Sequence, residues 1–158
     1  ILQSSKLIFL TEVIYKNFIN LSKYDHLQHN RQEIQRILRS NDSKVMLIMV
    51  GKAIGAYLVG EVIKLNDGRI VFYINYIFTS KAFRNKGFAS TLMKVADNIV
   101  KIEKLDGIML TCDTEDKDVY DFYIKKGFMP DIILRTYGRY EVLFRWSGVK
   151  SIHFYSMF

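Results

Sequence analysis

The sequence predicts an α+β domain in which helices flank a mixed, mostly antiparallel sheet. Between Val45 and Thr79, apolar runs of strand length alternate with turns that contain glycine, which is typical of an antiparallel meander. From Phe88 the apolar residues change to helical spacing, so a helix follows the meander. The next apolar run, Ile108 to Cys112, is reached through that helix, and a strand reached by a helical crossover pairs in parallel.

The residues before the meander predict a strand and two helices. Lys6 to Leu10 is expected to form a short strand, after which Thr11 caps the first helix. A second helix is expected from Asn30, because Glu33 three residues later completes a capping box. Ser22 to His29, which is polar and irregular, is expected to be the loop between the helices. The expected buried positions are Ile14, Phe18 and Leu21 in the first helix and Ile34, Ile37 and Leu38 in the second.

The meander and the helix after it have clear limits in the sequence. Val45 to Val50 and Ile54 to Ile63 are expected to form a hairpin around Gly51. The run Asn66-Asp67-Gly68 is a turn signal, and Ile70 to Thr79 is then a long strand rich in aromatic and β-branched residues. The apolar face expected for the following helix consists of Ala89, Leu92, Val95, Ala96, Ile99 and Ile102.

The last part of the chain predicts one more helix and two strands. Asp116 or Asp118 is expected to cap the helix, and Gly127 to end it in the left-handed conformation. The helix is expected to carry Val119, Phe122 and Tyr123. Two strands, Ile132 to Tyr137 and Tyr140 to Trp146, are expected to follow, joined by a turn at Gly138, and the residues from Gly148 show no decisive pattern.

Size and charge favour one domain with an anionic ligand. A length of 158 residues and a hydrophobic fraction of 49% fit a single domain over residues 1–158. Lys and Arg total 23 against 16 Asp and Glu, and the formal charge of +7 favours an anionic ligand, a nucleic acid or an acidic partner. The basic residues are scattered, which makes a nucleic acid the less favoured partner. Monomer and homodimer both stay open, since the apolar tail at 152–155 can pack on its own core or on a neighbouring subunit.

Cysteine and histidine usage predicts neither a disulfide nor a metal. The single cysteine, Cys112, excludes an internal disulfide and makes no ligand pattern with His26, His29 or His153. No histidine is placed by local sequence to activate it, so an inert strand cysteine is expected. The sequence has no apolar run of about 18 residues that would predict a membrane span, and no secretory signal pattern. A cytoplasmic location is the default expectation.

A phosphate site is predicted where the long strand leads into the helix at Phe88. The first N–H groups of a helix have no internal partners and carry the positive end of its dipole. Gly87 allows close approach of a ligand, Ala89 is small, and Arg84 and Lys86 add positive charge. The loop has neither the G-x-G-x-x-G nor the G-x-x-x-x-G-K-[ST] pattern. Taken alone, one glycine before a helix is more often an ordinary turn.

Two motifs in order give the sequence a family resemblance. The run RNKGFA at 84–89 resembles the R/Q-x-x-G-x-G/A acetyl-CoA signature of the GNAT superfamily of N-acetyltransferases. The run FYIKKGF at 122–128 resembles the L-Y-x-K-x-G-F pattern that ends a later helix in that family. The resemblance implies an α/β (α+β) fold with six to seven mostly antiparallel strands, about four flanking helices, and splayed fourth and fifth strands. Here these two strands are those at 70–79 and 108–112.

The resemblance also implies acetyl-CoA as cofactor and a set of residues that hold it. These residues are Ile77, Phe78, Thr79, Arg84, Asn85, Lys86, Gly87, Phe88, Ala89, Ser90, Asp116 and Tyr123. The first three are implied to bind the pantetheine arm through their backbone, in a gap that a β-bulge near Asn75 or Tyr76 would open. The run 84–90 is implied to hold the pyrophosphate. Asp116 stands where relatives have an asparagine, and a helix cap is its alternative role.

The implied reaction is direct attack of a neutral primary amine, on a small molecule, peptide or protein, at the thioester. Tyr123 matches the family's tyrosine that protonates the CoA thiolate, and packing in the core is its alternative role. The proton acceptor stays open: Tyr73 stands where several relatives have a glutamate, which leaves Glu61, Asp113 or a water chain. The net positive charge makes a strongly cationic acceptor less natural. An acyl-CoA sensor or scaffold without turnover, and a basic nucleic-acid module, are the other functions considered.

Overall fold

The computed structural model describes residues 4–19, 30–65, 67–113, 117–130 and 151–157. In chain order its elements are α1 (Ser4–Ile19), α2 (Arg31–Arg39), β1 (Ser43–Val50), β2 (Ala53–Lys64), β3 (Ile70–Thr79), a short 3₁₀ helix (Lys81–Phe83), α3 (Phe88–Ile102), β4 (Gly107–Asp113), α4 (Lys117–Lys125), β5 (Met129–Pro130) and β6 (Ser151–Met157). The described strands form one sheet in the order β1-β2-β3-β4-β6-β5. The pair β3 and β4 is parallel, and the other neighbours are antiparallel.

This architecture confirms the predicted mixed α/β fold. The strands predicted as fourth and fifth are β3 and β4, because the strand predicted at the N-terminus is helical. The predicted total of six to seven strands stays a prediction, since residues 131–150 lie outside the described part of the chain. The strands predicted at 132–137 and 140–146, the turn at Gly138, and the loop from Ser22 to His29 fall outside it as well.

The first element corrects the sequence prediction. Lys6 to Leu10, predicted as a strand, lies within α1. Thr11, predicted as the helix cap, is buried inside the helix, where its hydroxyl donates a hydrogen bond to the Leu7 carbonyl at 2.6 Å. The apolar run misled the prediction because Ile8 and Phe9 are 61% and 57% exposed and belong to no buried strand face. The positions that are buried have helical spacing: Leu7, Leu10, Thr11 and Ile14.

The second helix and the hairpins form where the sequence predicts them. The Asn30 side chain caps α2 by accepting a hydrogen bond from the Glu33 N–H at 2.8 Å. The predicted buried residues of α2 are confirmed as Ile34, Ile37 and Leu38. Gly51 and Gly68, at the two predicted turns, have left-handed φ values of +61° and +94°. These turns fix β1, β2 and β3 close to their predicted limits.

Helices cover both faces of the sheet. Successive residues of a strand point to opposite faces, and on β2 Leu58 packs in a cluster with Leu92 of α3, while Val59 packs in another with Ile34 of α2. The first cluster also contains Tyr123 of α4. We call the two sides the α3 face and the α1–α2 face. The sheet is therefore buried between helix pairs, with β3 and β4 near its centre.

The buried face of α3 differs in part from its prediction. Leu92 and Ala96 are buried as expected, but Val95 is 39% exposed and Ile102 79% exposed. Met93 and Val100, which the prediction omitted, are buried. An ideal helix completes one turn in 3.6 residues, so a face centred between Ala96 and Val100 includes positions 92 and 93 and excludes 95 and 102.

The last described elements combine confirmed and missed features. Gly127 has φ +93° and follows α4 in the left-handed conformation, as predicted. Asp118 lies in the first turn of α4, not at its cap, and Asp116 lies outside the described residues. Strand β6 was not predicted, and it pairs with β4 from Gly107 opposite Met157 to Asp113 opposite Ser151. The apolar tail therefore completes the chain's own sheet.

Candidate functional site

A gap between β3 and β4 is the first element of the site. Residues 71–73 stand opposite 107–109 in parallel register, and the two strands have no further register pairs. Yet β3 continues to Thr79 and β4 to Asp113. A strand edge without a neighbour presents N–H and C=O groups that a ligand can pair with. The predicted splay of these two strands is confirmed.

A β-bulge on β3 lies next to the gap. Val59 of β2 stands opposite Tyr76, but the next residue, Gly60, stands opposite Ile74. Asn75 is therefore the extra residue, which confirms the bulge predicted near this position. A bulge bends its strand and increases the local twist, so β3 turns away from β4 just beyond their last register pair.

The loop between β3 and α3 turns sharply into the helix. Asn85 and Gly87 both have left-handed φ values, +63° and +79°. A Cβ added at Gly87 would meet no heavy atom within 4 Å, so the backbone is open to approach on that side. The Gly87 carbonyl accepts hydrogen bonds from the N–H and the hydroxyl of Thr91, both at 3.0 Å, which hold the first turn of α3. Helix α3 begins at Phe88, and the N–H groups of its first turn have no intrahelical acceptor.

A cleft of about 460 Å³ lies where the strand end, the loop and α4 meet. Its volume is within the range of about 300–1,000 Å³ that is usual for small-molecule sites. Its lining residues are Ile77, Phe78, Thr79, Phe83, Arg84, Asn85, Gly87, Phe88, Ala89, Ser90, Asp118, Phe122 and Tyr123. All the residues predicted to bind the cofactor are among them except Lys86, which is exposed in the loop, and Asp116, which lies outside the described residues. Their role as cofactor ligands stays a prediction.

Arg84 is held at the edge of this cleft. Its Nε donates a hydrogen bond to the Thr79 carbonyl at 3.1 Å, and its guanidinium carbon lies 5.8 Å from the centre of the Phe78 ring. A guanidinium within about 6 Å of a ring centre is attracted to the ring face. The arginine thus ties the end of β3 to the loop and keeps a positive charge beside the cleft.

Tyr123 both borders the cleft and packs in the core. Its ring meets those of Phe122 and Phe128 edge to face, with centres 5.2 and 5.5 Å away, and the residue is 6% exposed. The two roles considered for this residue are compatible, because packing fixes the ring while the residue lines the cleft. Its role as a proton donor stays a prediction.

Three residues that line the cleft were not predicted from the sequence to belong to the site: Phe83, Asp118 and Phe122. The rings of Phe83 and Phe88 lie 6.3 Å apart, so they form one apolar part of the lining. Asp118 and Phe122 are four residues apart on α4 and share a helix face. This spacing could have predicted both residues, because Phe122 is next to Tyr123 in the second motif and Asp118 lies one helical turn before Phe122.

A polar cluster lies at the bulge on the α1–α2 face. Glu61 of β2, which is 8% exposed, accepts a hydrogen bond from Arg36 at 3.3 Å and one from the Asn75 side-chain amide at 3.5 Å. Arg36 also binds the Glu33 carboxylate, with its shortest contact at 2.8 Å. The Asn75 Oδ1 atom is buried and has no hydrogen-bond partner in the described structure. Of the candidate proton acceptors, Glu61 is thus brought to the bulge, and the Asp113 side chain lies outside the description.

Protonation in this cluster follows from its contacts. Hydrogen bonding to Glu33 raises the pKa of Arg36 further above its already high usual value, so the guanidinium stays charged. Burial raises the pKa of the Tyr76 phenol and of the Tyr57 phenol above the ordinary value. Both phenols therefore keep their protons at neutral pH and cannot act as the base that accepts a proton from a substrate.

A second hollow, of about 530 Å³, runs along α2. It is lined by Gln32, Gln35, Arg36, Arg39 and Ser40, all from one helix and its C-terminal cap. None of the predicted site residues is among them, and Arg36 is already bound to two carboxylates. Because functional clefts gather groups from several segments, the cleft at the end of β3 is the better candidate.

The described residues include no helix that is long and apolar enough to cross a membrane. Nor do they contain a group of three or more His, Cys, Asp and Glu side chains arranged to hold a metal ion.

Solved structures with the same fold include several complexes with coenzyme A. PaiA N-acetyltransferase of Thermoplasma acidophilum, solved with coenzyme A, has a TM-score of 0.65 at 14% identity, covering 99% of this chain and 96% of its own. A chain of the NatC complex, solved with a Gag peptide and CoA, has a TM-score of 0.64 at 15% identity, covering 82% and 80%. A Bacillus anthracis protein solved with acetyl coenzyme A has a TM-score of 0.58 at 22% identity, covering 78% and 67%. At these identities the likeness establishes the fold alone. Among curated protein sequences, none matches this chain significantly.

The family model of acetyltransferases settles the membership. Residues 12–128 match the model described as the acetyltransferase (GNAT) family. That span contains the loop at Gly87, the gap between β3 and β4, and Tyr123 with the rest of the second motif. Acetyl-CoA is the acetyl donor that this family uses, which agrees with the cofactor expected from the sequence. The chain therefore belongs to the GNAT family of acetyltransferases and is an acyltransferase by class.

Proposed function

We propose that this protein binds acetyl-CoA in the cleft and transfers its acetyl group to a primary amine by direct attack. The observation that carries the proposal is that one cleft is lined by three separate segments. They are the open edge of β3, the start of α3, and α4 with Tyr123. Each supplies what a different part of acetyl-CoA requires, namely amide partners, an anion site and a proton donor.

The described residues fit the cofactor. The pyrophosphate is proposed to lie at the start of α3, where unpaired N–H groups and the helix dipole favour an anion. The open space at Gly87 permits close approach there, and Arg84 adds charge at the edge. The pantetheine arm, which contains amides, is proposed to pair with the edge of β3 at 77–79, beside the gap.

The proposed chemistry uses few protein groups. When bound, acetyl-CoA supplies a thioester whose carbonyl carbon the amine attacks, so that a C–N bond forms and the C–S bond breaks with its electron pair leaving on sulfur. Tyr123 donates its phenolic proton to that sulfur and regains a proton from solvent. The proton that the amine loses passes to a neighbouring acceptor or to water. Holding both reactants beside the gap supplies a further part of the rate.

The proposal is tested by binding and by turnover. Calorimetry measures the binding of acetyl-CoA. A thiol-reactive dye detects the CoA that is released when the protein and acetyl-CoA are mixed with each amine of a panel: propylamine, phenethylamine, spermidine and a lysine-containing peptide. We expect saturable acetyl-CoA binding and CoA release that depends on the amine. No acetyl-CoA binding would refute the cofactor site.

Tyr123→Phe tests the acid role. The substitution keeps the ring and its packing against Phe122 and Phe128, so the acetyl-CoA Kd should stay within about twofold while kcat falls by about 10²-fold. The matched control is Tyr57→Phe, which removes the hydroxyl of another buried tyrosine whose partner is Asn17 at 2.8 Å. It should cost stability and leave kcat nearly unchanged. Equal kcat in wild type and Tyr123→Phe would remove Tyr123 from the mechanism.

A second candidate is an acyl-CoA sensor or scaffold without turnover. It is favoured by Tyr73, which stands where several GNAT enzymes have a glutamate, so a carboxylate is missing at that position. Firm acetyl-CoA binding without CoA release for any amine in the panel would support this candidate. Release that depends on amine concentration would reject it.

A further inference from the structure

We propose that Asn75 and Glu61 bind the acceptor amine, on the α1–α2 face of the sheet beside the bulge. The inference rests on the proposed transferase function and assigns the groups that hold its second substrate. It concerns a polar pair that the cleft for acetyl-CoA does not include.

The orientation of the Asn75 amide leaves its oxygen for a ligand. Nδ2 donates to Glu61 Oε1 at 3.5 Å, and the flipped amide would place its oxygen against the carboxylate. Oδ1 therefore points away from Glu61, and it is buried without a partner in the described structure. A buried acceptor without a partner costs free energy, which a ligand N–H can recover.

Glu61 offers a second acceptor at the same place. Both of its hydrogen bonds, from Arg36 and from Asn75, reach Oε1, and Oε2 takes part in neither. A primary amine carries at least two N–H donors and can satisfy Asn75 Oδ1 and the Glu61 carboxylate together, whereas a hydroxyl has a single donor. The pair thus favours an amine over an alcohol.

Local charge favours a cationic acceptor. Glu33 and Glu61 carry two negative charges and Arg36 one positive charge, so this group sums to −1. Two phenols lie near these carboxylates: Tyr73 stands directly opposite Glu61 across β2 and β3, and the Tyr76 phenol stays neutral because burial raises its pKa. The field at a site depends mainly on the nearest charges, so the overall charge of +7 does not oppose an ammonium here. A cationic amine can therefore bind here, contrary to the expectation from net charge, and it attacks the thioester after losing its extra proton to water.

The position of the pair suits attack on the thioester. Residues two apart along a strand are about 7 Å apart, and Asn75 is two residues from Ile77, where the thioester arm is proposed to lie. The amine would approach from the α1–α2 face while acetyl-CoA occupies the gap and the entrance of α3. The two substrates then meet at the edge of β3 without competing for the same groups.

The test uses the whole chain, saturating acetyl-CoA and the amine panel named above. Asn75→Leu removes the acceptor and keeps a similar volume, and Glu61→Gln removes the charge and keeps the shape. We expect each to lower kcat/KM for the amine by about 10- to 100-fold, mainly through the amine KM. The KM and the Kd for acetyl-CoA should stay within about twofold of wild type. If Asn75→Leu does not fold, Glu61→Gln decides.

Two controls make the same changes elsewhere. Asn98→Leu alters an exposed amide on α3, and Glu103→Gln alters a half-exposed carboxylate paired with Lys44. Both should keep wild-type kinetics. If the wild type turns over and both test variants keep the wild-type kcat/KM for the amine, the inference is overturned and the proposed function stands. The same conclusion follows if the test variants lose affinity for acetyl-CoA to the same extent as they lose amine kcat/KM. Wild type that binds acetyl-CoA but acetylates no amine in the panel would overturn the inference and the transfer step together.

Discussion

Replacing Gly87 with alanine separates the backbone role of the loop from its role as a ligand site. Gly87 has φ +79° and ψ 12°, a left-handed conformation that costs other residues about 1–2 kcal/mol. The added methyl group would meet no heavy atom within 4 Å, so no clash adds to that cost in the free protein. We expect the free energy of unfolding to fall by about 1 kcal/mol, which lowers Tm by about 2–4 °C for a domain of this size.

Gly51→Ala is the matched control for this change. Gly51 has φ +61°, and a Cβ there also meets no heavy atom within 4 Å. It lies in the turn between β1 and β2 and does not line the cleft. Both variants should therefore lose a similar amount of stability in thermal unfolding, and only Gly87→Ala should lose affinity for acetyl-CoA.

The expected loss of affinity follows from the loop geometry. The open space at Gly87 adjoins the unpaired N–H groups at the start of α3, and a methyl group there keeps a diphosphate from reaching them. One hydrogen bond to a charged group contributes about 1.5–3 kcal/mol, so the acetyl-CoA Kd should rise at least about tenfold. Calorimetry on both variants measures it. Equal Kd values for Gly87→Ala and Gly51→Ala would refute the assignment of this loop to the pyrophosphate.

Two further substitutions test charges of the described structure. Asp118→Asn removes a negative charge from the cleft lining, so affinity for the anionic acetyl-CoA should rise a few-fold at low salt and less at high salt. The control is Asp121→Asn, on the same helix but outside the cleft, which should leave that affinity unchanged. If calorimetry shows the same change in acetyl-CoA affinity for both variants, Asp118 does not face the cofactor. The hydrogen bond from Arg69 holds the pKa of the Asp67 carboxyl below its usual range. The ionised carboxylate therefore stabilises the fold above the unfolded-state pKa of about 3.9, and this stabilisation is lost as pH falls through the lower pKa of the folded state. Asp67→Asn should therefore unfold at lower urea concentration than wild type at neutral pH, with the difference shrinking in acid, and a difference independent of pH would contradict this.

Turn chemistry explains why the central strands could be predicted from the sequence. Gly51 and the run Asn66-Asp67-Gly68 mark the two turns, and both glycines adopt the left-handed conformation that such turns require. Asn30 likewise marks the start of α2 by a side-chain hydrogen bond that any sequence with this local pattern can form. These signals act within four or five residues, so they need no knowledge of the rest of the fold.

The errors arise where burial by distant segments decides. The run from Lys6 to Leu10 has the composition of a strand, but it lies on helix α1, whose buried side packs against α2 and the sheet. The tail at 151–157 becomes a strand because it pairs along the full length of β4, a partner far away in sequence. Local pattern cannot report either partner, since tertiary contacts override propensity in short segments.

The candidate site divides in the same way. The residues of the loop at 84–90 are contiguous and follow a motif, so the sequence could single them out before their arrangement was known. Asp118 comes from α4, and Phe83 lies beside Phe88 in the short 3₁₀ helix, so the place of both in the cleft depends on how separate segments meet. Glu61 and Asn75 come from different strands, and their contact depends on a register that the sequence does not specify.

The bulge at Asn75 decides which face each later residue of β3 occupies. Phe72 and Ile74 pack on the α3 face, and strict alternation would place Tyr76 there as well. Tyr76 instead packs on the α1–α2 face, and Ile77 returns to the α3 face. One inserted residue therefore reverses the alternation, directs β3 away from β4, and brings the Asn75 amide beside Glu61. In the proposed reaction, the same irregularity opens the gap for the thioester and places hydrogen-bond acceptors for the amine on the α1–α2 face.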